Sequence, residues 1–352
     1  MNYYDAYGLV GRCLALDLGE ENKQAIIEEF GKKSMDFGTF VKVADNHLVL
    51  QSIYPKLEKH KLLNYIPEEL TGHLKNVFEL NTERNRKILD QIKTINLWLS
   101  GEGVTPLYLK GAGNILDNLY DNPGERILHD IDFLVEEKDF QKTIDIFLKN
   151  DFHSKVVLNP EKFGRVKHYP LLFSEKFPAF VEIHRLPVGI RYTKAFTAEE
   201  VFKKKIKPLN NSDCFVMCDE HKIIHIFMHS QLEDKGHYYA KSSLRSLYDL
   251  LLLSKRVNIE KVFEDLGFYK SESADFVKIM NRSFGINEKK GGNIHLFRYE
   301  LNLKSRVFSK VSSILLRNFI RFIQKPFTAI SDKEVRILMW GRIISNRKGE
   351  EG

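Results

Sequence analysis

The chain contains 352 residues, of which 43% are hydrophobic and 29% are charged, and its formal net charge is +7. This composition is typical of a globular protein, and the length is sufficient for two or three packed units. No run of eighteen apolar residues is present to span a membrane, and Cys13, Cys214 and Cys218 do not make a disulfide framework. The positive charge suits an anionic partner such as a nucleotide, a nucleic acid, a phosphosugar or a membrane surface.

The amino-terminal part is predicted to be helical. Its first residues include early acids and no basic segment before an apolar run, so we expect no signal peptide and a cytoplasmic location. Residues 1–75 carry apolar side chains at helical spacing, with one helix at 21–30 and a second at 39–57 that Pro55 interrupts. A long helix at 74–100 is expected to pack on the back of a sheet through one apolar stripe. That stripe consists of Ile88, Ile92, Ile95 and Leu99.

The central stretch, residues 107–135, indicates a strand, a glycine turn, a helix, a loop and a second strand. The apolar run 107–109 ends at Lys-Gly-Ala-Gly, where two glycines within three residues favour a tight turn. A helix is predicted over 112–120, and Asp-Asn-Pro-Gly at 121–124 ends it. The second strand is predicted at 130–135.

Asp130 and Asp132 carry the chemistry of this stretch. On a strand, residues i and i+2 point to the same face and lie roughly 6–7 Å apart. Two unpaired carboxylates on one face repel each other, and a divalent cation removes that conflict. Mg²⁺ prefers a few carboxylate oxygens together with substrate phosphates. The alternative is a pair of acids on the solvated face of an edge strand.

The next elements predict a mixed α/β sheet. A helix is expected at 137–149, and strands are expected at 154–158, 169–173 and 180–184. Glu182 lies on the last of these strands.

Glu182 could complete a carboxylate triad with Asp130 and Asp132. Three carboxylates can hold one or two metal ions against a triphosphate, activating an attacking hydroxyl and neutralising the pyrophosphate that leaves. Lys110 and the backbone N–H groups at the start of the 112–120 helix would hold phosphate on the other side.

These residues resemble a known family. A glycine turn, a helix, a D-x-D strand and a later strand with a central Glu resemble the nucleotidyltransferase superfamily of the DNA polymerase β type. More narrowly, LKG, then R-x-x-x-D-I-D-F-L-V and V-E-I-H-R are similar to a bacterial uncharacterised nucleotidyltransferase family, over about 76–255. The matching residues are Lys110, Gly111, Arg126, Asp130, Asp132, Glu182 and His184.

The resemblance implies a fold and a cofactor. The fold would be α/β (α+β): a polymerase β-like mixed sheet flanked by helices, with helical N- and C-terminal regions. The cofactor would be Mg²⁺, with Mn²⁺ as the alternative, held by Asp130, Asp132 and Glu182. Lys110, Gly111 and Ala112 would contact the NTP. Ala112 stands where many superfamily members carry Ser or Gly, so a side-chain hydroxyl on the phosphate is missing.

Two further residues are placed near this site. Arg126 could clamp phosphate with two hydrogen bonds, or it could neutralise the acid cluster. His184 shares a strand face with Glu182 and could contact the nucleotide or acceptor, act as a general base, or be a hydrogen-bonded residue at the edge of the site. Lys162, Arg165, Lys167 and His168 lie between two predicted strands, where we favour a solvated loop over a basic loop that covers the substrate.

From about residue 198 the pattern predicts helices to the end. Asp219 is expected to cap a helix that runs to about residue 231. On this helix His221, His225 and His229 form one stripe, for which packing is favoured over zinc binding. A basic amphipathic helix at 304–325 could bind an anionic membrane, making the protein peripheral to it, or nucleic acid; packing on the protein itself is the favoured alternative.

The leading hypothesis is a Mg²⁺-dependent enzyme that moves an NMP from an NTP to an unknown acceptor hydroxyl or phosphate and releases pyrophosphate. The alternatives are a non-catalytic nucleotide-binding module and a toxin-like nucleotidyltransferase that acts on tRNA or protein. The predicted division is a helical cap at 1–75, a nucleotidyltransferase core at 76–197, a helical region at 198–290 and basic helices at 291–352.

Overall fold

The structure is a computed structural model that describes residues 1–156, 166–208, 214–286 and 293–319. The chain divides into two compact units, 1–296 and 297–352. The finer division into four regions that the sequence suggests stays a prediction.

The first unit begins with four helices, which confirms the helical character of this region. The helices are α1 (Tyr3–Leu14), α2 (Glu20–Phe30), α3 (Phe37–Asn46) and α4 (Leu50–Lys59). The predicted break at Pro55 is wrong, because Pro55 lies inside α4. The chain breaks instead at Leu48, whose backbone is left-handed with φ +56°. The N–H groups of Leu48 and Val49 bond back to the last carbonyls of α3, which closes that helix.

The long helix α5 spans Glu68–Gly101 and begins six residues before the predicted start. The predicted apolar stripe is confirmed, since Ile88, Ile92, Ile95 and Leu99 are fully buried. The side chains of Asn81 and Asn85, one turn apart on the same helix, donate hydrogen bonds to carbonyl oxygens of the loop at 123–126. Helix α5 therefore supports the sheet and also holds the loop that precedes its central strand.

A six-stranded mixed sheet is formed by the described residues. Its strands are β1 (Leu107–Tyr108), β2 (Asp130–Leu134), β3 (His153–Ser154), β4 (Leu172–Phe173), β5 (Phe180–His184) and β6 (Phe215–Val216). Their order across the sheet is β3-β4-β5-β2-β1-β6. Strand β2 runs parallel to β5 and antiparallel to β1. The predicted α/β (α+β) fold, a mixed sheet flanked by helices, is confirmed.

The central pair of strands places the candidate residues. The register of β2 and β5 pairs Asp132 with Glu182 and Asp130 with Phe180. Ile131 and Phe133 are fully buried on the opposite face of β2. Helix α6 (Lys110–Leu116) follows β1, and helix α7 (Phe140–Lys149) follows β2.

The remaining strands are shorter than predicted. Strand β3 ends at Ser154, and Val157 and Leu158 of the predicted 154–158 strand lie outside the described residues. Strand β4 covers only two residues of the predicted 169–173. Strand β6 lies in a region that we predicted to be wholly helical. Two residues carry no detectable alternation, and β6 is a strand only because it pairs with β1.

The rest of the first unit is helical, as predicted. The helices are α8 (Ala198–Lys203), α9 (Asp219–Phe227), α10 (Gly236–Tyr239), α11 (Leu244–Ser254), α12 (Ile259–Leu266) and α13 (Lys270–Phe284). Asp219 is the first residue of α9 and Cys218 is its N-cap, one residue earlier than predicted. A π-helical segment at Met228–Glu233 continues α9.

Helix α14 (Ile294–Lys304) reaches into the second unit, where α15 (Arg306–Phe319) follows. Helix α15 exposes Val307, Val311 and Leu315 together with basic residues. The rest of the predicted 304–325 helix lies outside the described residues, and its membrane or nucleic-acid partner stays a prediction. None of the helices in the described ranges is long and apolar enough to cross a bilayer.

Candidate functional site

An acidic cluster lies where β2 and β5 run side by side. Asp132 is 2% exposed and stands directly opposite Glu182. His184 is fully buried two residues further along β5, and its Nε2 lies 2.9 Å from Asp132 Oδ1 and 3.4 Å from Glu182 Oε2. The prediction that His184 shares a face with Glu182 is confirmed. The cluster therefore joins two carboxylates and an imidazole.

Lys110 supplies the positive charge of this cluster. It begins α6 with a left-handed backbone, φ +48°, which turns its side chain from the end of β1 towards the acids. The Lys110 ammonium lies 2.6 Å from Asp132 Oδ1 and 3.8 Å from Glu182 Oε2. Lys110, which is predicted to bind phosphate, thus contacts both carboxylates.

Each charge in this centre shifts the pKa of its neighbours. Burial favours the neutral form of Asp132, but the charge of Lys110 and the hydrogen bond from His184 outweigh burial and hold its pKa well below the usual range. Burial likewise opposes ionisation of Glu182, and the His184 hydrogen bond nevertheless lowers its pKa. Burial disfavours the charged form of Lys110, and the Asp132 carboxylate reverses this and raises the Lys110 pKa. The centre is held as carboxylates with a compensating cation.

Asp130 has a different environment. Burial first, and then the negative charge of Asp132, raise the pKa of Asp130, and Lys110 offsets this only in part. Asp130 lies on the same strand but outside the group of Asp132, Glu182 and His184, whose ligand atoms lie within 4.8 Å of one another. The assignment of Asp130, Asp132 and Glu182 as metal ligands stays a prediction.

The donor set fits a divalent cation such as Mg²⁺ or Mn²⁺. Asp132 and Glu182 offer hard carboxylate oxygens, and His184 adds a nitrogen, a combination that Mn²⁺ accepts readily. Lys110 Nζ already lies between the two carboxylates, which shows that the cluster accommodates positive charge. Asp132 and Glu182 would hold such a cation, with His184 beside them.

The two glycines after Lys110 form part of a helix, so the predicted glycine turn is wrong. The predicted helix at 112–120 is confirmed over 112–116. Both glycines lie inside α6, which ends at Leu116. A Cβ on Gly113 would lie 2.6 Å from the carbonyl oxygen of Tyr108, and one on Gly111 would lie 2.5 Å from Leu128 Cδ2. The glycines let α6 pack closely on β1 and on the loop before β2. Gly111 and Ala112 are both buried.

The two glycines are expected to differ in their tolerance of alanine. Gly113→Ala should destabilise the fold by about 1–3 kcal/mol, because the new methyl group meets backbone that cannot move without shifting β1. Gly111→Ala should change the free energy of unfolding by less, since the end of the Leu128 side chain can rotate away. Denaturant unfolding of both variants measures the difference. Equal losses would contradict the packing of α6 on Tyr108.

Arg126 lies beside Gly111 but does not contact the acids of the cluster. Its Nε donates to Asp249 Oδ2 at 3.3 Å, and Asp249 also accepts a hydrogen bond from Tyr120. Its guanidinium carbon lies 3.6 Å from the position of a Cβ on Gly111. Arg126 is therefore close to the start of α6 and is held by a buried carboxylate of α11.

One family model matches most of the chain, residues 33–268, and it is described as an uncharacterised nucleotidyltransferase. The matched range contains the acidic cluster, Lys110 and Arg126. The chain belongs to this nucleotidyltransferase family. The predicted membership is confirmed, and no curated protein matches the sequence.

A second arginine was not predicted as a site residue. Arg245 lies on α11, one turn before Asp249. Burial and the charge of Arg126 lower the pKa of Arg245, while Asp249 and Asp130 oppose that shift. Within the described ranges the side chain of Arg245 makes no hydrogen bond or ion pair. Only the contact of α11 with the loop before β2 brings this arginine to Asp130.

Two residues of the charged loop pack beside β5, and one of them, His168, lies next to the acidic cluster. His168 Nδ1 lies 4.0 Å from Glu182 Oε1, and its ring centroid is 5.0 Å from that of His184. Lys167 Nζ lies 2.8 Å from Glu233 Oε2, and its side chain is 15% exposed. The solvated-loop interpretation is wrong for these two residues, because they pack beside β5. Lys162 and Arg165 lie outside the described residues.

The histidine stripe of α9 and the π-helical segment contacts neighbouring residues of the fold. His221 packs edge-on against Phe196, and His225 Nε2 lies 2.9 Å from the carbonyl oxygen of Pro187. His229 Nδ1 lies 3.2 Å from Asp234 Oδ2. Among the described residues these three do not form a group able to hold a metal ion.

Proposed function

We propose that the protein catalyses Mg²⁺- or Mn²⁺-dependent transfer of an NMP from an NTP to an acceptor hydroxyl or phosphate. The observation that carries this proposal is the Asp132–Glu182 pair across β2 and β5, with the Lys110 ammonium between the two carboxylates. Membership of the nucleotidyltransferase family supports the reaction class.

In this reaction an acceptor oxygen forms a bond to the α-phosphorus, and the bond from that phosphorus to the bridging oxygen of the β-phosphate breaks. Pyrophosphate leaves with the electron pair, and an acceptor hydroxyl gives its proton to water. A divalent cation held by Asp132 and Glu182, with Asp130 or His184 completing the set, supplies charge neutralisation for the phosphates and activation of the hydroxyl.

The side chains around the cluster would bind and orient the NTP. Lys110 can exchange its contact with Asp132 for a phosphate oxygen once another cation neutralises the carboxylates. Arg245, whose charge interacts with that of Asp130, would face the remaining phosphates. Arg126 would do so if its contact with Asp249 opened. His168 lies beside Glu182 and would contact the acceptor.

The experiment that tests the proposal is a calorimetric titration of ATP, GTP, CTP and UTP, each with Mg²⁺ or Mn²⁺. We expect at least one NTP to bind the wild type only with metal, and this binding to be lost in the Asp130→Asn/Asp132→Asn double variant. The matched control is Asp90→Asn, which removes an exposed carboxylate on α5. Thermal unfolding establishes that the double variant is folded at the temperature of the titration.

Other outcomes would select the alternatives. If no NTP binds the folded wild type, the enzyme proposal is wrong. Metal-dependent NTP binding without pyrophosphate release over a wide range of acceptors would indicate a non-catalytic binding module. A nucleic-acid acceptor would show itself by RNA binding that weakens steeply with salt, because phosphate contacts release counterions.

A further inference from the structure

A second group of metal-ligating side chains lies in the helices that follow the sheet. His237 belongs to α10, Asp275 to α13, and His295 to the start of α14. Each residue offers one ligand atom, and these atoms lie within 4.8 Å of one another. Asp275 and His295 are buried, whereas the side chain of His237 is 27% exposed. The group shares no residue with the acidic cluster of β2 and β5.

The three ligand atoms are close together, although the two imidazole rings lie parallel. His237 Nδ1 lies 3.9 Å from Asp275 Oδ2, and the His237 and His295 rings stack with centroids 4.0 Å apart at 11°. Ligand atoms at about 2.0–2.1 Å from a tetrahedral ion are roughly 3.3 Å apart. To bind one ion, the His237 and His295 rings would have to turn out of their stack, so that both nitrogen lone pairs point at it.

A neighbouring amide orients the carboxylate. The side-chain amide of Asn293 donates a hydrogen bond to Asp275 Oδ1, which leaves Oδ2 facing His237. Asn293 Oδ1 in turn accepts a hydrogen bond of 2.9 Å from the backbone N–H of Leu296. Such a hydrogen-bonded second layer fixes the orientation of ligands in metal sites. This support by Asn293 is not expected for polar side chains that lie close together only by chance.

We propose that His237, Asp275 and His295 form a zinc site, with a fourth position open for water or another ligand. Two imidazoles and one carboxylate suit Zn²⁺, whereas Mg²⁺ prefers oxygen ligands. Asp275 and His295 lie beyond the range that the family model matches, so this site is a property of the chain and does not follow from the family. Bound zinc would fasten residues 293–295 to α10 and α13.

The test is a zinc titration of the full chain, first stripped of metal with a chelator and then kept in excess Mg²⁺ to occupy the acidic cluster. We expect one equivalent of Zn²⁺ to bind the wild type. Asp275→Asn and His237→Gln should each weaken this binding by about 100-fold or more, and Asn293→Ala by about 10–100-fold, as for other second-layer residues. The controls are His73→Gln, an exposed histidine on α5, and Glu182→Gln in the acidic cluster. Both should retain the zinc.

A stability measurement separates a lost ligand from a lost fold. With chelator present, the wild type and His237→Gln should unfold at similar temperatures, because His237 is the most exposed of the three. Zinc should then raise the midpoint of the wild type and of both controls but not that of His237→Gln. The proposal is wrong if the folded wild type binds no zinc, or if the ligand variants bind it as tightly as the wild type.

Discussion

Replacing Asp132 with asparagine is expected to lower nucleotidyl transfer by on the order of 10³-fold and to destabilise the metal-free fold by about 3–5 kcal/mol. Asp132 is almost fully buried, and both the Lys110 ammonium and His184 Nε2 lie within 3 Å of its Oδ1. Asparagine keeps the shape of the side chain but removes the negative charge. The Lys110 ammonium is then left largely buried without its nearest counter-charge.

Asp130→Asn is the matched control for that experiment, since it makes the same change on the same strand face. The pKa of Asp130 is raised by burial and by Asp132, so above this pKa its ionised carboxylate is less favourable in the folded protein than in the unfolded chain. Asparagine removes that unfavourable charge. The free energy of unfolding should therefore stay the same or rise, whereas nucleotidyl transfer should still fall.

Denaturant unfolding in chelator at neutral pH, together with pyrophosphate release in Mg²⁺, measures both effects. The expected pattern is a loss of stability for Asp132→Asn alone and a loss of activity for both variants. If the two variants lose equal stability, the Lys110–Asp132 pair is not what holds the cluster together. If Asp132→Asn keeps full turnover, the acidic cluster is not the reaction centre.

The strands that carry the acids could be predicted because the alternation of side chains along a strand depends only on the local sequence. Alternation alone places Asp130 and Asp132 on one face of β2, and Glu182 and His184 on one face of β5. That Asp132 and Glu182 stand directly opposite each other depends on the register of two strands about fifty residues apart. Periodicity does not encode that register. Strand β6 could not be predicted, since its two residues are a strand only through pairing.

The contacts of the basic residues of the site were harder to predict than the positions of the acids. The sequence motif indicates Lys110, but its left-handed backbone and its place between the carboxylates arise from the packing of α6. The partner of Arg126 is Asp249, more than a hundred residues later, and no local pattern connects them. Arg245 comes to Asp130 through the same long-range contact of α11. The sequence shows which residues are basic, but only tertiary packing decides which anion each of them contacts.

Arg126→Gln is expected to destabilise the fold by about 3–5 kcal/mol, because it leaves the Asp249 carboxylate buried with Tyr120 and without its positive partner. Arg245→Gln should leave the free energy of unfolding unchanged or higher. Among the described residues Arg245 has no ion pair to lose, and burial together with the charge of Arg126 disfavours its charged form. We therefore expect Arg126 to be a structural cation and Arg245 to be available to a ligand.

The Arg126→Gln and Arg245→Gln variants should also differ in their affinity for the NTP. A hydrogen bond to a charged group contributes about 1.5–3 kcal/mol, so Arg245→Gln should weaken metal-dependent NTP binding by roughly tenfold to a hundredfold. Titrating the NTP into each folded variant at one ionic strength measures this loss. If Arg245→Gln binds like the wild type and a folded Arg126→Gln does not, then Arg126 is the phosphate ligand. In that case its contact with Asp249 must open when the nucleotide binds, and Asp249→Asn should strengthen NTP binding.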